Sequence, residues 1–86
     1  MTDISKTLEA RNELYGDFGG QADIADAIKE IMRSSRNWSK LKPFQREAVD
    51  MFAVKESRIL NGDPDCFDSW HDIEGYARLV ASRLPR

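Results

Sequence analysis

Hydrophobic residues recur along the chain at intervals of three and four, the spacing of one helix face, whereas no stretch alternates as a β-strand would. Thr2 or Asp3 is predicted to cap a first helix, which ends at the glycine-rich turn YGDFGG, residues 15–20. A second helix is predicted over residues 21–35. The apolar stripe of the first helix comprises Ile4, Leu8, Leu14 and Tyr15, and that of the second comprises Ile24, Ile28, Ile31 and Met32.

Two further helices are predicted in the C-terminal half. Pro43 suits the first turn of a third helix, because its missing N–H needs no partner there. That helix is expected to end at Leu60, where Asn61-Gly62 would adopt left-handed backbone. Asp68 is expected to cap a fourth helix that runs to about Leu84. The inward side of the third helix comprises Phe44, Ala48, Met51, Phe52, Ile59 and Leu60, and that of the fourth comprises Ile73, Ala77, Val80 and Leu84.

This pattern predicts an all-α fold, a small bundle of about four helices in a single domain over residues 1–86. The last two helices are expected to form an antiparallel hairpin, with Gly75 bringing their backbones close. A chain of 86 residues cannot fill a second core, and one cysteine excludes an internal disulfide. Stability is therefore expected to come from tight helix packing or from self-association.

Charge and hydropathy narrow the class of partner. The chain has 13 basic and 15 acidic residues, a balance that argues against a nonspecific nucleic-acid binder with a basic stripe. No apolar run approaches the length of a membrane-spanning helix, and the first residues do not resemble a signal peptide. We expect a soluble cytoplasmic protein without a membrane partner.

Charged residues fall on the inward side of the predicted hairpin. The inward stripe of the third helix passes through Lys55, with Arg58 one turn later, and these two could lie opposite Asp72 and Asp68. Tyr76 follows Asp72 by one helical turn. A charge at a core-facing position is costly unless it is paired. Two interpretations stay open: a network that fixes the register of the hairpin, or a polar pocket in which Lys55 and Arg58 grip an anionic ligand.

Three short segments also resemble a known family. They are YGDF at residues 15–18, KxxRIL at residues 55–60 and DSWxDIxGYA at residues 68–77. This set resembles a family of small, mostly uncharacterised helical proteins of phages and prophages, in which the last motif reads DSWxDIAGYA. Glu74 stands here in place of the motif's alanine, and Lys42 where a capping Ser or Thr is expected. The resemblance implies a phage or prophage origin, a place in the bacterial host cytoplasm and an all-helical fold.

The chain is more distantly similar to the all-α nucleotide pyrophosphohydrolases of the MazG type. Those enzymes hold magnesium over a triphosphate with an E-E-x-x-E helix and a later E-x-x-D helix. This chain has no E-E-x-x-E; a magnesium-dependent hydrolase, active or degenerate, would use Asp72, Asp68 and Glu13. Cys66 and His71 are interpreted as structural, because two ligands do not make a zinc site.

The leading hypothesis is a small accessory protein that acts by binding a host protein or a small phosphorylated ligand, and not by catalysis. It needs no cofactor, whereas the alternative hydrolase needs magnesium. A homo-oligomer is expected, with Phe18, Trp38 and Phe67 available for an interface. The residues expected to bind a ligand are Lys55, Arg58, Asp72, Tyr76, Tyr15 and Asp68.

Overall fold

Four α-helices, two of them packed on opposite flanks of a third, build the protein. The structure, a computed structural model, describes residues 3–86. The elements are α1 (Ile4–Tyr15), α2 (Phe18–Ser34), a short 3-10 turn (Trp38–Lys40), α3 (Pro43–Asn61) and α4 (Phe67–Ala81). Both α2 and α4 pack along α3, whereas α1 touches the bundle mainly near its own C-terminal end. The prediction of an all-α bundle is confirmed, and residues 3–86 contain no strand.

The starts of the first two helices follow from acidic caps. The Asp3 carboxylate accepts a hydrogen bond from the Ser5 backbone N–H at 3.0 Å, as predicted, while Thr2 lies outside the described residues. α2 begins at Phe18 and not at Gln21, because the Asp17 carboxylate accepts from the Gly20 N–H at 2.9 Å. The cap places the last two glycines of YGDFGG inside the first turn of α2.

The connection between α3 and α4 departs from the predicted geometry. Pro43 does occupy the first position of α3, but Gly62 has φ −124°, so the predicted left-handed stop is wrong. In the described residues only Gly16 has positive φ, at 76°. α4 begins at Phe67, which places Asp68 in its first turn and not at the cap. A carboxylate in the first turn is still stabilised by the positive end of the helix dipole. The helix ends at Ala81, short of the predicted Leu84.

The YGDF turn and the end of α3 are joined by backbone-directed hydrogen bonds. The Asn61 side-chain amide donates to the Tyr15 and Asp17 carbonyls, both at 2.9 Å. The Asp63 N–H donates to the Leu14 carbonyl at 2.7 Å. Gly62 lies directly against the Leu14 and Tyr15 backbone, so a side chain at this position would have no space. The two segments are thereby held in contact.

The buried interior is built from small residues. Its apolar members in residues 3–86 are Ala25, Ala48, Ala53 and Cys66. Most of the predicted inward side chains are only half-buried. Leu60, Ala77, Leu84 and Ile31 are exposed, so their assignment to the core is wrong. Gly75 is also exposed and makes no close backbone approach. The helices therefore approach one another closely, and much of their large apolar surface stays outside.

Large hydrophobic side chains lie on the surface of every helix. Phe18 and Phe67, which the sequence predicts at an interface, are exposed, whereas Trp38 is half-buried beneath the Arg33 guanidinium, 5.2 Å from its ring. The other exposed large residues are Ile4, Leu8, Leu14, Ile31, Leu60, Trp70, Leu79 and Leu84. Within the described residues, no helix combines the length and the hydropathy that crossing a membrane would require.

Two glycine substitutions test the contact between Gly62 and the YGDF turn. Gly62→Ala is expected to lower the free energy of unfolding by about 1–3 kcal/mol, because the new methyl group overlaps backbone that cannot rotate away. In the matched control, Gly75→Ala, the new methyl group contacts nothing, because residue 75 is an exposed position in the middle of α4. This substitution is expected to raise the free energy of unfolding by about 0.5–1 kcal/mol. Urea denaturation followed by circular dichroism measures both. Equal effects of the two substitutions would contradict the assigned contact.

Candidate functional site

A buried lysine faces α4 from the middle of α3. Lys55 is only 9% exposed, and its Nζ lies 2.8 Å from Asp72 Oδ2. The Asp72 side chain is 42% exposed, so the pair reaches from the interior to the surface. A buried ammonium needs such a partner, because removing a charge from water is otherwise costly. The structure thus brings together the two residues that the sequence predicts to lie opposite each other.

The pair also changes the acidity of its carboxyl group. The hydrogen bond from Lys55, followed by the charge of the same lysine, lowers the pKa of Asp72 below 3.8. Burial opposes this by raising the pKa, and the charges of His71 and Arg58 lower it further. Asp72 is therefore ionised at neutral pH, and the ion pair with Lys55 holds α4 in register on α3.

Arg58 has a different environment from the one predicted. It makes no ion pair with Asp68 among residues 3–86; its guanidinium carbon lies 4.5 Å from the centroid of the Tyr15 ring. The Arg58 Nε is buried and has no hydrogen-bond partner within the described chain. A second guanidinium, that of Arg11, lies 5.2 Å from the same ring centroid. Arg11, Tyr15 and Arg58 form a cluster of two cations on one aromatic ring, here called the Arg–Tyr cluster.

Arg11 is a site residue that the sequence analysis does not identify. Its signal is nevertheless present, because residues 11 and 15 are four apart on a predicted helix and therefore share a face. Arg58 is 43 residues after Tyr15 in the sequence, and it reaches the ring because α1 contacts the end of α3. No local pattern connects these two segments. The cluster is a product of the fold.

An open concavity adjoins the Arg–Tyr cluster between α1 and α2. Its volume is about 390 Å³, within the range of small-molecule sites. The residues that line it include Leu8, Arg11, Asn12, Tyr15, Asp17, Phe18 and Gln21. It therefore combines an aromatic face and a guanidinium with one carboxylate and neutral hydrogen-bonding groups.

The remaining predicted ligand-binding residues lie apart from this concavity. Tyr76 is half-buried on α4, one turn after Asp72, and lines a shallow groove with it and His71. Asp68 is exposed, and makes no ion pair in the described part of the chain. The six predicted residues thus separate into Lys55, Asp72 and Tyr76 between α3 and α4, Arg58 and Tyr15 at α1, and a solvated Asp68.

The carboxylates named for a magnesium site do not come together. Glu13 is exposed on α1, and Asp72 is paired with Lys55. Within residues 3–86, no three or more His, Cys, Asp and Glu side chains are grouped so that they could hold a metal ion. Cys66 is buried, and the His71 ring stacks on Phe67 with centroids 5.1 Å apart.

The fold and the site define a small all-α bundle with a cationic Arg–Tyr cluster at one end and a buried lysine paired with a partly exposed aspartate between α3 and α4. Comparisons with models of protein families, with curated proteins and with solved structures found no match for the chain.

Substituting each partner of the Lys55–Asp72 pair in turn tests which of the two charges is more costly to leave unpaired. Asp72→Ala is expected to destabilise the protein more than Lys55→Met, because it leaves a buried ammonium without its acceptor. Lys55→Met leaves a carboxylate that can still reach water, and methionine fills a similar volume. Thermal and urea unfolding of both variants measure the difference. The opposite ranking would refute the role assigned to the pair.

The lowered pKa of Asp72 makes a prediction for acid unfolding. The folded-state pKa lies below the unfolded value near 3.8, so this group contributes stability above that value and loses it as pH falls through the folded pKa. The difference in unfolding free energy between the wild type and Asp72→Asn is expected to be constant near neutral pH. It should shrink as pH falls below about 5. Urea titrations at several pH values measure it, and a constant difference down to the acid limit would contradict the prediction.

Proposed function

We propose that the protein is a small helical binding protein, of the accessory type found in phages and prophages. It binds a small phosphorylated ligand at the Arg–Tyr cluster, and works as a homo-oligomer. The observation that carries the ligand proposal is the buried Nε of Arg58, which has no hydrogen-bond partner within residues 3–86. The phage connection depends on the three sequence motifs alone.

An unpartnered guanidinium donor favours an anionic ligand. Arginine keeps its charge under all physiological conditions and has five N–H donors but no acceptor. A buried donor without a partner costs about 1–3 kcal/mol, which a bound acceptor would recover. Phosphate oxygens match the planar fork of a guanidinium and accept two parallel hydrogen bonds from it. Arg58 is therefore assigned as a contact of a phosphate that enters beside the Tyr15 ring; Arg11 lines the concavity itself, and Arg58 lies behind the ring.

Tyr15 and Arg11 supply the rest of the proposed site. The Tyr15 ring packs against the Arg58 guanidinium. Arg11 contacts the same ring and lines the concavity. Two cations close together attract an anion more strongly than one. The flat face of Tyr15 also suits a nucleobase, if the ligand is a nucleotide. Lys55, tied to Asp72, holds α3 and α4 in position, and Tyr76 and Asp68 take no part in this proposal.

The homo-oligomer is supported by the distribution of apolar surface. The buried apolar residues in the described chain are small, while large hydrophobic side chains of all four helices face solvent. A chain of 86 residues has little core of its own to offset the entropy lost on folding. A second copy would cover part of this surface. No observation favours magnesium-dependent hydrolysis over binding.

The ligand proposal is tested by charge removal at Arg58. Native mass spectrometry of freshly purified protein first shows whether a small molecule is lost on denaturation. Pyrophosphate and ATP are then titrated calorimetrically into the wild type and Arg58→Gln. We expect at least about a tenfold weaker binding in the variant, since a hydrogen bond to a charged group contributes about 1.5–3 kcal/mol.

The matched control is Arg78→Gln, because the Arg78 side chain is 82% exposed and distant from the cluster in the chain. Binding should be unchanged in this variant. Equal affinities of all three proteins, or no binding of either probe by the wild type, would sink the ligand proposal. Magnesium-dependent phosphate release that disappears in Asp72→Asn would instead support the hydrolase alternative.

A further inference from the structure

One flank of the α3–α4 hairpin forms an apolar surface that nothing in the described chain covers. Its centre is a groove of about 340 Å³ between the two helices. Most residues that line it are apolar; they include Leu41, Val49, Phe52, Ala77, Val80 and Leu84, which together are called the hairpin face. An exposed apolar surface of this kind marks a site for another protein surface.

The hairpin face continues towards the turn between α3 and α4. Trp70 and Ala77 are seven residues apart, so they share one side of α4, and Leu84, just beyond the end of the helix, lines the same groove as Ala77. Leu60 comes eleven residues after Val49, close to three full helical turns, and continues the same side of α3. Trp70 and Leu60 are both exposed. An apolar strip that follows two helices along their length fits other helices better than it fits a small ligand.

The charges of the hairpin are divided between its two ends. The turn half, residues 55–74, contains six acidic and two basic residues. The open half, residues 40–54 and 75–86, contains two acidic and six basic residues. The hairpin is therefore negative where α3 meets α4 and positive where the helices diverge to the 3-10 turn and the C-terminal residues. A partner that lies along the hairpin face therefore meets negative charge at one end and positive charge at the other.

We propose that the hairpin face binds a second copy of this chain, antiparallel about a twofold axis, so that two hairpins form a four-helix bundle. In this orientation the acidic turn half of each copy lies on the basic open half of the other. A parallel arrangement would place like charges together at both ends. The charge pattern is thus self-complementary in one orientation, as an isologous interface requires.

The inference specifies the surface and the orientation of the self-association that forms part of the proposed function, and is independent of ligand binding at Arg58. Other occupants lack this match. A different protein would need the mirrored charge order along the same apolar strip, whereas a second copy has it already. The Arg–Tyr cluster involves α1 and the C-terminal end of α3, so it stays outside the hairpin face.

The first test compares two alanine-to-glutamate variants of the full-length chain. Ala77 is exposed in the hairpin face, and Ala27 is exposed on α2 outside it. Ala77→Glu places a carboxylate in the interface twice, and is expected to weaken the dimer by about 100-fold in sedimentation experiments. Ala27→Glu should leave the dimer unchanged, and circular dichroism checks that both variants fold.

Two results would overturn the interface. A wild-type protein that stays monomeric up to millimolar concentration would remove self-association altogether, and with it that part of the proposed function. A wild-type dimer that tolerates Ala77→Glu, whatever the effect of Ala27→Glu, would retain self-association and place it on another surface. The two failures are therefore distinguishable.

The orientation is tested by neutralising two acids of the turn half. Asp65→Asn combined with Asp68→Asn removes charges at exposed positions. In the antiparallel dimer this loses attraction at both ends, and the dimer dissociation constant should rise about tenfold at low salt. The wild-type dimer should likewise weaken as sodium chloride is added. Tighter association of the double variant, or of the wild type in high salt, would overturn the antiparallel arrangement.

Discussion

The arrangement of the helices depends on one side chain, the amide of Asn61. Its two N–H donors meet the carbonyls of Tyr15 and Asp17, so a single group at the end of α3 holds both sides of the turn between α1 and α2. The adjacent Gly62 allows the backbones to touch, and Asp63 adds a third hydrogen bond to Leu14. These hydrogen bonds hold the turn that carries Tyr15 against the end of α3, and so place the Tyr15 ring beside Arg58.

Close contact between the helices accounts for the small number of large side chains in the interior. Backbones that approach closely leave room only for residues such as Ala25, Ala48 and Ala53, and the large apolar groups are moved to the rims of the helix contacts. A monomer built in this way has definite geometry but little buried hydrocarbon. It is a scaffold that gains stability when its outer surfaces are covered.

Helical periodicity predicts the number and order of the helices, and the antiparallel hairpin that it implies correctly places Lys55 opposite Asp72. Periodicity does not predict burial correctly at positions that face two neighbouring helices or none. Leu60 belongs to the inward period of α3 yet is exposed at the C-terminal end of that helix. The role of Asn61 is also hidden, because its partners are 44 and 46 residues away and are backbone atoms, which carry no sequence signal.

Position along α3 separates the roles of its residues. Val49 and Phe52 contribute to the hairpin face, Lys55 pairs across to α4, and Arg58 turns to the aromatic ring of α1. Each step of three residues shifts the side-chain direction by about 60° around the helix, so Val49 and Arg58, nine residues apart, point to opposite sides of α3. A substitution at one of them can therefore test the proposed self-association, the hairpin register or the proposed ligand site separately. This separation holds because the ion pair and the Asn61 contact keep α3 fixed between its neighbours.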